Sequence, residues 1–344
     1  MRKIIALLFS STVLVSCSHT KLDTPSTVSE QVKLVSDRAV VTTSQETLPA
    51  AHTISPEKVL QSDKYSEGIV FDRQGNLYFS QTKAGTITVV SPDGSSRIWA
   101  KVQGANGHKI LPDGSHIIAA KNSVLQLDAN GNPVKIIADR FNGKPLVYPN
   151  DITVDPQGGF YFTDSGDSNP QNPNGAVYYV DATGKLNQVT SGLAFANGIV
   201  LTPDRQRLFV SESNKNLVAV YNVLAPGKLE KKKVFALPVK QAGEIDNKPD
   251  GLCLDAAGNL YIAHYGTRHV EVLNSNGQLI RRYASGNLTT SNCAFGGANL
   301  TSLFVTGGVE TEAGQGGIFR LDLGVQGLDI RPRQPAINVN QKNN

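Results

Sequence analysis

The chain reads as an all-β protein, a six-bladed β-propeller with four antiparallel strands per blade. Three observations predict it. An oxygen-bearing side chain recurs six times just ahead of an apolar run, a small turn and a second apolar run: Glu67, Asn106, Asn150, Asn197, Asp250 and Asn292. The successive starts are 39, 44, 47, 53 and 42 residues apart, a period found in solenoids and propellers. Long amphipathic helical stretches are missing. A parallel β-solenoid is the main rival, but its repeats are usually shorter, and it strings polar positions along a line instead of gathering them on an axis.

The first unit shows the plan. Four apolar runs, at 69–71, 77–79, 86–90 and 97–100, are broken by Arg73-Gln74-Gly75-Asn76 and Pro92-Asp93-Gly94. Gly supplies positive φ in such breaks, and Asp or Asn bonds back to its own backbone, so the runs read as short antiparallel strands. The plan returns at Gly158-Gly159-Phe160-Tyr161-Phe162, Gln206-Arg207-Leu208-Phe209-Val210 and Gly258-Asn259-Leu260-Tyr261-Ile262. The repeats run from about 67 to about 323 with no linker, which predicts one domain over 56–330 and a C-terminal tail at 331–344.

Ahead of the repeats, Arg2 and Lys3 precede a mostly apolar stretch, 4–15, that ends in Leu14-Val15-Ser16-Cys17. The stretch is too short for a comfortable membrane span. It resembles a bacterial lipobox. Residues 1–16 are then a lipoprotein signal peptide and Cys17 the lipidated first residue; the alternative is an ordinary secretory signal. Ser18, rather than Asp, favours the outer membrane. The expected location is the bacterial cell envelope, lipid-anchored, on the outer-membrane or periplasmic side. Residues 17–55, rich in Ser, Thr, Val, Gln and Lys, read as a flexible tether.

The formal net charge is +4, and the charges are scattered. The one basic cluster, Lys231, Lys232 and Lys233, reads as a solvated hairpin, so no nucleic-acid partner is expected. The membrane is expected to be met only through the lipid anchor, and the protein to be a monomer. Cys253 and Cys293 sit at nearly the same phase of adjacent units. They read as two buried thiols that could be neighbours, with a disulfide as the alternative.

Residues at one phase of a closed ring must meet around its axis. Carboxylates at Glu67 and Asp250 with amides at Asn106, Asn150, Asn197 and Asn292 offer the hard oxygen donors that Ca²⁺, Mg²⁺ or Mn²⁺ take. A bound divalent ion polarises a carbonyl or phosphoryl oxygen, and a carboxylate beside it can act as base or nucleophile. Strand alternation from Asn106 would aim His108 inward. His264 ends an apolar run near the expected channel mouth. Either could carry a proton near neutrality. The loop at 165–175 could be a lid or a solvated excursion.

Several segments carry a resemblance. Glu67-Gly68, Tyr148-Pro149-Asn150-Asp151, Tyr161-Phe162-Thr163-Asp164, Ala196-Asn197-Gly198-Ile199, Pro249-Asp250-Gly251-Leu252-Cys253-Leu254-Asp255 and Thr290-Ser291-Asn292-Cys293-Ala294-Phe295-Gly296-Gly297 resemble the senescence-marker-protein (regucalcin), gluconolactonase and luciferin-regenerating-enzyme family. That resemblance implies a six-bladed propeller with one divalent ion in its channel, Ca²⁺ first, with Mg²⁺, Mn²⁺ or Zn²⁺ as alternatives. It implies metal ligands at Glu67, Asn150, Asn197 and Asp250. Asp250 is also the implied catalytic base or nucleophile. Substrate contacts are expected at Asn106, His108, Tyr148 and His264. The implied activity is metal-dependent hydrolysis of a small-molecule lactone, the metal polarising the carbonyl and Asp250 activating water. Tyr148 stands where animal members carry Arg, and Ile69 where many carry Pro, which bears on the substrate more than on the metal. The alternatives are an organophosphate-type hydrolase and a non-catalytic ligand-binding surface lipoprotein. A strictosidine-synthase-like propeller, which needs no metal, fits the four oxygen donors poorly.

Overall fold

A computed structural model of the protein describes residues 47–331 except 168, 170, 244 and 311–313. The expected signal peptide, Cys17, most of the expected tether and the residues beyond 331 lie outside the described residues. The ring has six blades. Blade 1 is Glu67–Phe71, Leu77–Gln81, Thr86–Val90 and Ser96–Lys101; blade 2 is His108–Ile110, His116–Ala120, Ser123–Leu127 and Pro133–Ala138. Blade 3 is Pro149–Asp155, Gly159–Asp164, Gly175–Val180 and Leu186–Leu193; blade 4 is Ala196–Leu201, Arg207–Glu212, Leu217–Ala225 and Lys233–Ala236. Blade 5 is Lys248–Leu254, Leu260–Tyr265, His269–Leu273 and Leu279–Ala284. The innermost strands touch in the order 1-2-3-4-5-6-1, which closes the ring.

Blade 6 is built from both ends of the repeat region. Thr289–Gly296, Ser302–Gly308 and Gly316–Asp322 supply three strands, and Glu57–Ser62 returns from ahead of blade 1 as the fourth. This pairing protects an edge that would otherwise expose unpaired backbone groups. Residues ahead of 56 also pack on the ring. Leu48 and Ile54 pack against the apolar seam between blades 5 and 6, and the Pro49 carbonyl accepts from Arg281 Nε (3.1 Å) and the Tyr283 hydroxyl (2.8 Å).

The core lies between blades. Val70, Tyr78, Trp99 and Ile118 fill the seam between blades 1 and 2; Tyr161, Tyr179, Ile199 and Tyr221 fill that between blades 3 and 4. The other four seams are filled in the same way. Alternating apolar side chains from both faces of each sheet are buried, which is why several strands read as unbroken apolar runs.

The innermost strands are not regular. Each carries a register shift where its polar residue stands: between Glu67 and Val70, Pro149 and Ile152, Ala196 and Ile199, Pro249 and Leu252, and Thr290 and Cys293. In blade 2, Ala119 pairs with two residues, accepting from Asn106 N and donating to the Gly107 carbonyl. A bulge gives one strand an extra residue and re-aims its side chain. Here the extra residue turns each donor along the ring axis instead of into a seam.

Candidate active site

One cavity of about 520 Å³ opens on the axis, and its lining is periodic. The donors Glu67, Asn106, Asn150, Asn197 and Asp250 form the first set; all are buried. The second set stands two residues earlier: Tyr65, Tyr148, Phe195 and Lys248. The third comes from the ends of second strands: Thr82 and Lys83, Ser213 and Asn214, and Tyr265. Sequence patterning found the first set, and the family resemblance pointed to Tyr148. It missed the rest, although the offset of two residues was there to be read.

Hydroxyl pairs two residues apart on the second strands hold the donor segments. Ser80 and Thr82 of blade 1 donate to the carbonyls of Asn106 (2.7 Å) and Ala105 (2.8 Å). Thr163 and Ser165 of blade 3 donate to Asn197 (2.7 Å) and Ala196 (2.8 Å). Ser211 and Ser213 of blade 4 donate to Asp250 (2.8 Å) and Pro249 (2.7 Å). The bulged backbone, which cannot join a regular ladder, is thus satisfied by the preceding blade. Close approach is also needed. A Cβ at Gly68, where φ is +39°, would sit 1.8 Å from the Asn106 carbonyl oxygen, and one at Gly198 would sit 2.1 Å from that of Asp250.

The same serines orient the amides. Asn150 Nδ2 donates to Ser165 Oγ (3.1 Å), and Asn197 Nδ2 donates to Ser213 Oγ (3.0 Å). With the nitrogens tied back, the amide oxygens are left for the cavity. Buried carboxylates set the two aromatic loops. Asp164 accepts from Val147 N and Tyr148 N, both at 2.8 Å. Glu212 accepts from Ala194 N at 3.1 Å, while Ser213 N donates to the Phe195 carbonyl. Phe195 is held at φ 61°, a left-handed conformation that a bulky residue rarely adopts. Its ring faces Tyr148, with centroids 6.3 Å apart.

The electrostatics are those of crowded acid groups. Burial, with Asp151 beside it, pushes the Glu67 carboxyl up to about 8. Burial and then Glu67 push the Asp250 carboxyl well above the usual range, opposed by a hydrogen bond from Asn197. Burial and the same two carboxylates push the Tyr148 phenol up to about 12; its hydroxyl shares a hydrogen bond with Asn106. Asp151 lies beneath the donors. It accepts from Ile152 N (2.8 Å) and Ile199 N (3.2 Å) and pairs with Lys109 at 3.7 Å.

Three expectations are corrected. His108 does not line the cavity: its Nε2 lies 2.8 Å from His116 Nδ1, and its ring stacks on Trp99. The doubled pairing at Ala119 breaks the alternation from Asn106 and turns His108 into the seam. His264 is fully buried between Glu271 (3.1 Å) and the Asn216 side chain (2.9 Å), behind the mouth instead of in it. Asn292 is one residue past the donor phase. Its Oδ1 accepts from Cys293 N, as Asp151 accepts from Ile152 N, and Ser291 holds the donor position with its hydroxyl turned to the Ser66 carbonyl. No described residue of the 165–175 loop lines the cavity.

The cavity donors fall within residues 65–308, the span matched by the SMP-30/Gluconolactonase/LRE-like region. The chain belongs to this family. Among its members, a lactonase drp35 from Staphylococcus saprophyticus is 32% identical over 241 residues, covering 66% of this chain and 73% of that protein. A gluconolactonase from Zymomonas mobilis is 28% identical over 285 residues, covering 73% and 79%. The crystal structure of a calcium-binding regucalcin from Agrobacterium tumefaciens superposes with a TM-score of 0.70 at 19% identity, covering 82% of this chain and 97% of that one, and shares the fold.

Proposed function

We propose that this protein is a lactone hydrolase that works with one divalent cation held by Glu67, Asn150, Asn197 and Asp250. The carrying observation is the convergence of two buried carboxylates and two tied-back amides on one cavity, in a family whose relatives include lactonases. The donor set fits the group. Four oxygens with two carboxylates match a hard cation, Ca²⁺ first, with Mg²⁺, Mn²⁺ or Zn²⁺ as alternatives. When bound, such an ion balances the carboxylates and draws electron density from a carbonyl oxygen.

The chain's own residues supply the rest. Asp250, buried at the cavity, takes the proton from a water as its oxygen adds to the lactone carbonyl carbon. It returns a proton to the ring oxygen as the ester bond breaks. Asn106 and the Tyr148 hydroxyl offer hydrogen bonds to substrate oxygens. Tyr65, Tyr148 and Phe195 wall the mouth with aromatic faces. That wall suits a lactone with an apolar face or substituent better than a bare polyhydroxyl acid lactone.

The test is a panel of lactones and phosphotriesters on protein starting at residue 47, stripped of metal and then given each cation. Lactone turnover restored by a cation supports the reading. Turnover indifferent to chelator sinks it, and turnover of phosphotriesters alone moves it to the organophosphate class. We further propose, from the lipobox-like Leu14-Val15-Ser16-Cys17, that the mature protein is anchored through Cys17 on the periplasmic side of the outer membrane. Mass analysis of the mature N-terminus tests the anchor.

A further inference from the structure

We propose that Cys253 and Cys293 form a site of oxidative modification, closing to a disulfide that joins the innermost strands of blades 5 and 6. The two thiols are free and their sulfurs lie 3.1 Å apart. They belong to different sheets: Cys253 to Lys248–Leu254, three residues on from Asp250, and Cys293 to Thr289–Gly296. Bonded sulfurs lie about 2.05 Å apart, so closure asks for a movement of roughly 1 Å shared between two strands.

Packing alone would be served by any small apolar pair. The level of the ring at which these thiols sit argues for more. Three residues after the donor, blade 2 places Lys109, which pairs with Asp151 of blade 3. Blade 3 places Thr153 there, whose hydroxyl accepts from Leu201 N of blade 4. Blade 5 places Cys253, which meets Cys293 of blade 6. Each is a polar tie from one blade to the next, and the last can become covalent. The pair is also asymmetric. Cys253 is part-exposed and Cys293 is buried, so an incoming oxidant meets Cys253 first and Cys293 resolves the adduct.

The oxidant is a small-molecule disulfide such as oxidised glutathione. Cys253 gives its proton to solvent, and the thiolate attacks one glutathione sulfur. The glutathione S–S bond breaks, and the first glutathione leaves and takes up a proton. Cys293 then loses its proton and attacks Cys253 Sγ, and the second glutathione leaves as a thiol. Two protein thiols are oxidised and one disulfide is reduced to two thiols. The thiolate is the attacking species, so the reaction should quicken as pH rises.

The experiment uses the otherwise full chain with Cys17→Ser, leaving two thiols. Folded protein is incubated with oxidised glutathione, denatured, and treated with iodoacetamide. The expected product has lost two hydrogens, resists alkylation at both positions, and yields a joined peptide in a non-reducing digest. Dithiothreitol should reverse it. Cys293→Ser should stop at a glutathione adduct on Cys253, and Cys253→Ser should stay unmodified. Because the alkylation pattern of this chain needs no substitution at Cys253 or Cys293, it decides alone. Both thiols remaining alkylatable in the folded protein, or crosslinks forming only between two molecules, would overturn the proposal.

Discussion

At the scale of single residues, the proposed function depends on how two acids and two amides are charged and aimed. Replacing Asp250 by Asn keeps shape but removes the base, so kcat/KM should fall about 10²–10⁴-fold while the far-ultraviolet spectrum is unchanged. Ser165→Ala and Ser213→Ala should each free an amide to rotate. Residues that orient a metal ligand are typically worth about 10–100-fold in metal affinity, and calcium titration by calorimetry measures it. The raised acids also set a pH dependence. Glu67 holds its proton up to about 8 in the folded chain against an ordinary 4.5, so the folded state binds protons that the unfolded state has released. This contribution is whole below about 4.5 and is lost as pH rises through about 8. His116 acts in the opposite sense. Burial lowers it from 6.5 to about 4, so its contribution is present above 6.5 and lost as pH falls through about 4. Between pH 6.5 and 8 the acids therefore act alone. Chelated protein should melt at falling temperature across that window, and Glu67→Gln should flatten the slope. An unchanged slope in the variant would refute the assignment.

At the scale of strands and loops, the bulges decide what could be foreseen. The strands were legible because turn residues mark them and a four-strand unit repeats. The donors Glu67, Asn150, Asn197 and Asp250 were legible because each stands at the same offset before an apolar run. His108 and Asn292 were misplaced for one reason: a bulge adds a residue, and side-chain parity beyond it is lost. The hydroxyl pairs Ser80/Thr82, Thr163/Ser165 and Ser211/Ser213 were on the page as small polar residues, but their partners are in the next blade, at distances local patterning does not reach. Glu57–Ser62 was missed similarly, since its partner Gly316–Asp322 is far away in sequence. A chain starting at residue 65 should leave that partner strand as a bare edge, and size-exclusion chromatography should then show aggregates. The loop carrying Phe195 makes a separate prediction. Its left-handed backbone costs about 1–3 kcal/mol, so Phe195→Gly should keep or raise the melting temperature. The same change should raise KM for lactones with apolar substituents more than for polar ones.

For the molecule as a whole, a cation that binds only the folded ring should stabilise it by mass action. At a hundred times its dissociation constant, calcium should add about 2.7 kcal/mol. A calorimetric melt of the chelated protein against the calcium-loaded one checks this, and Glu67→Gln should remove most of the gain. The clasp from one blade's second strand onto the next blade's donor segment reaches further than stability. Each blade is one sheet, but the unit that aims a donor is made of the second strand of one sheet and the innermost strand of its successor. Grafts between homologous rings should respect that stagger: a crossover between a first and second strand carries each donor with its own clasp, while one between blades separates them.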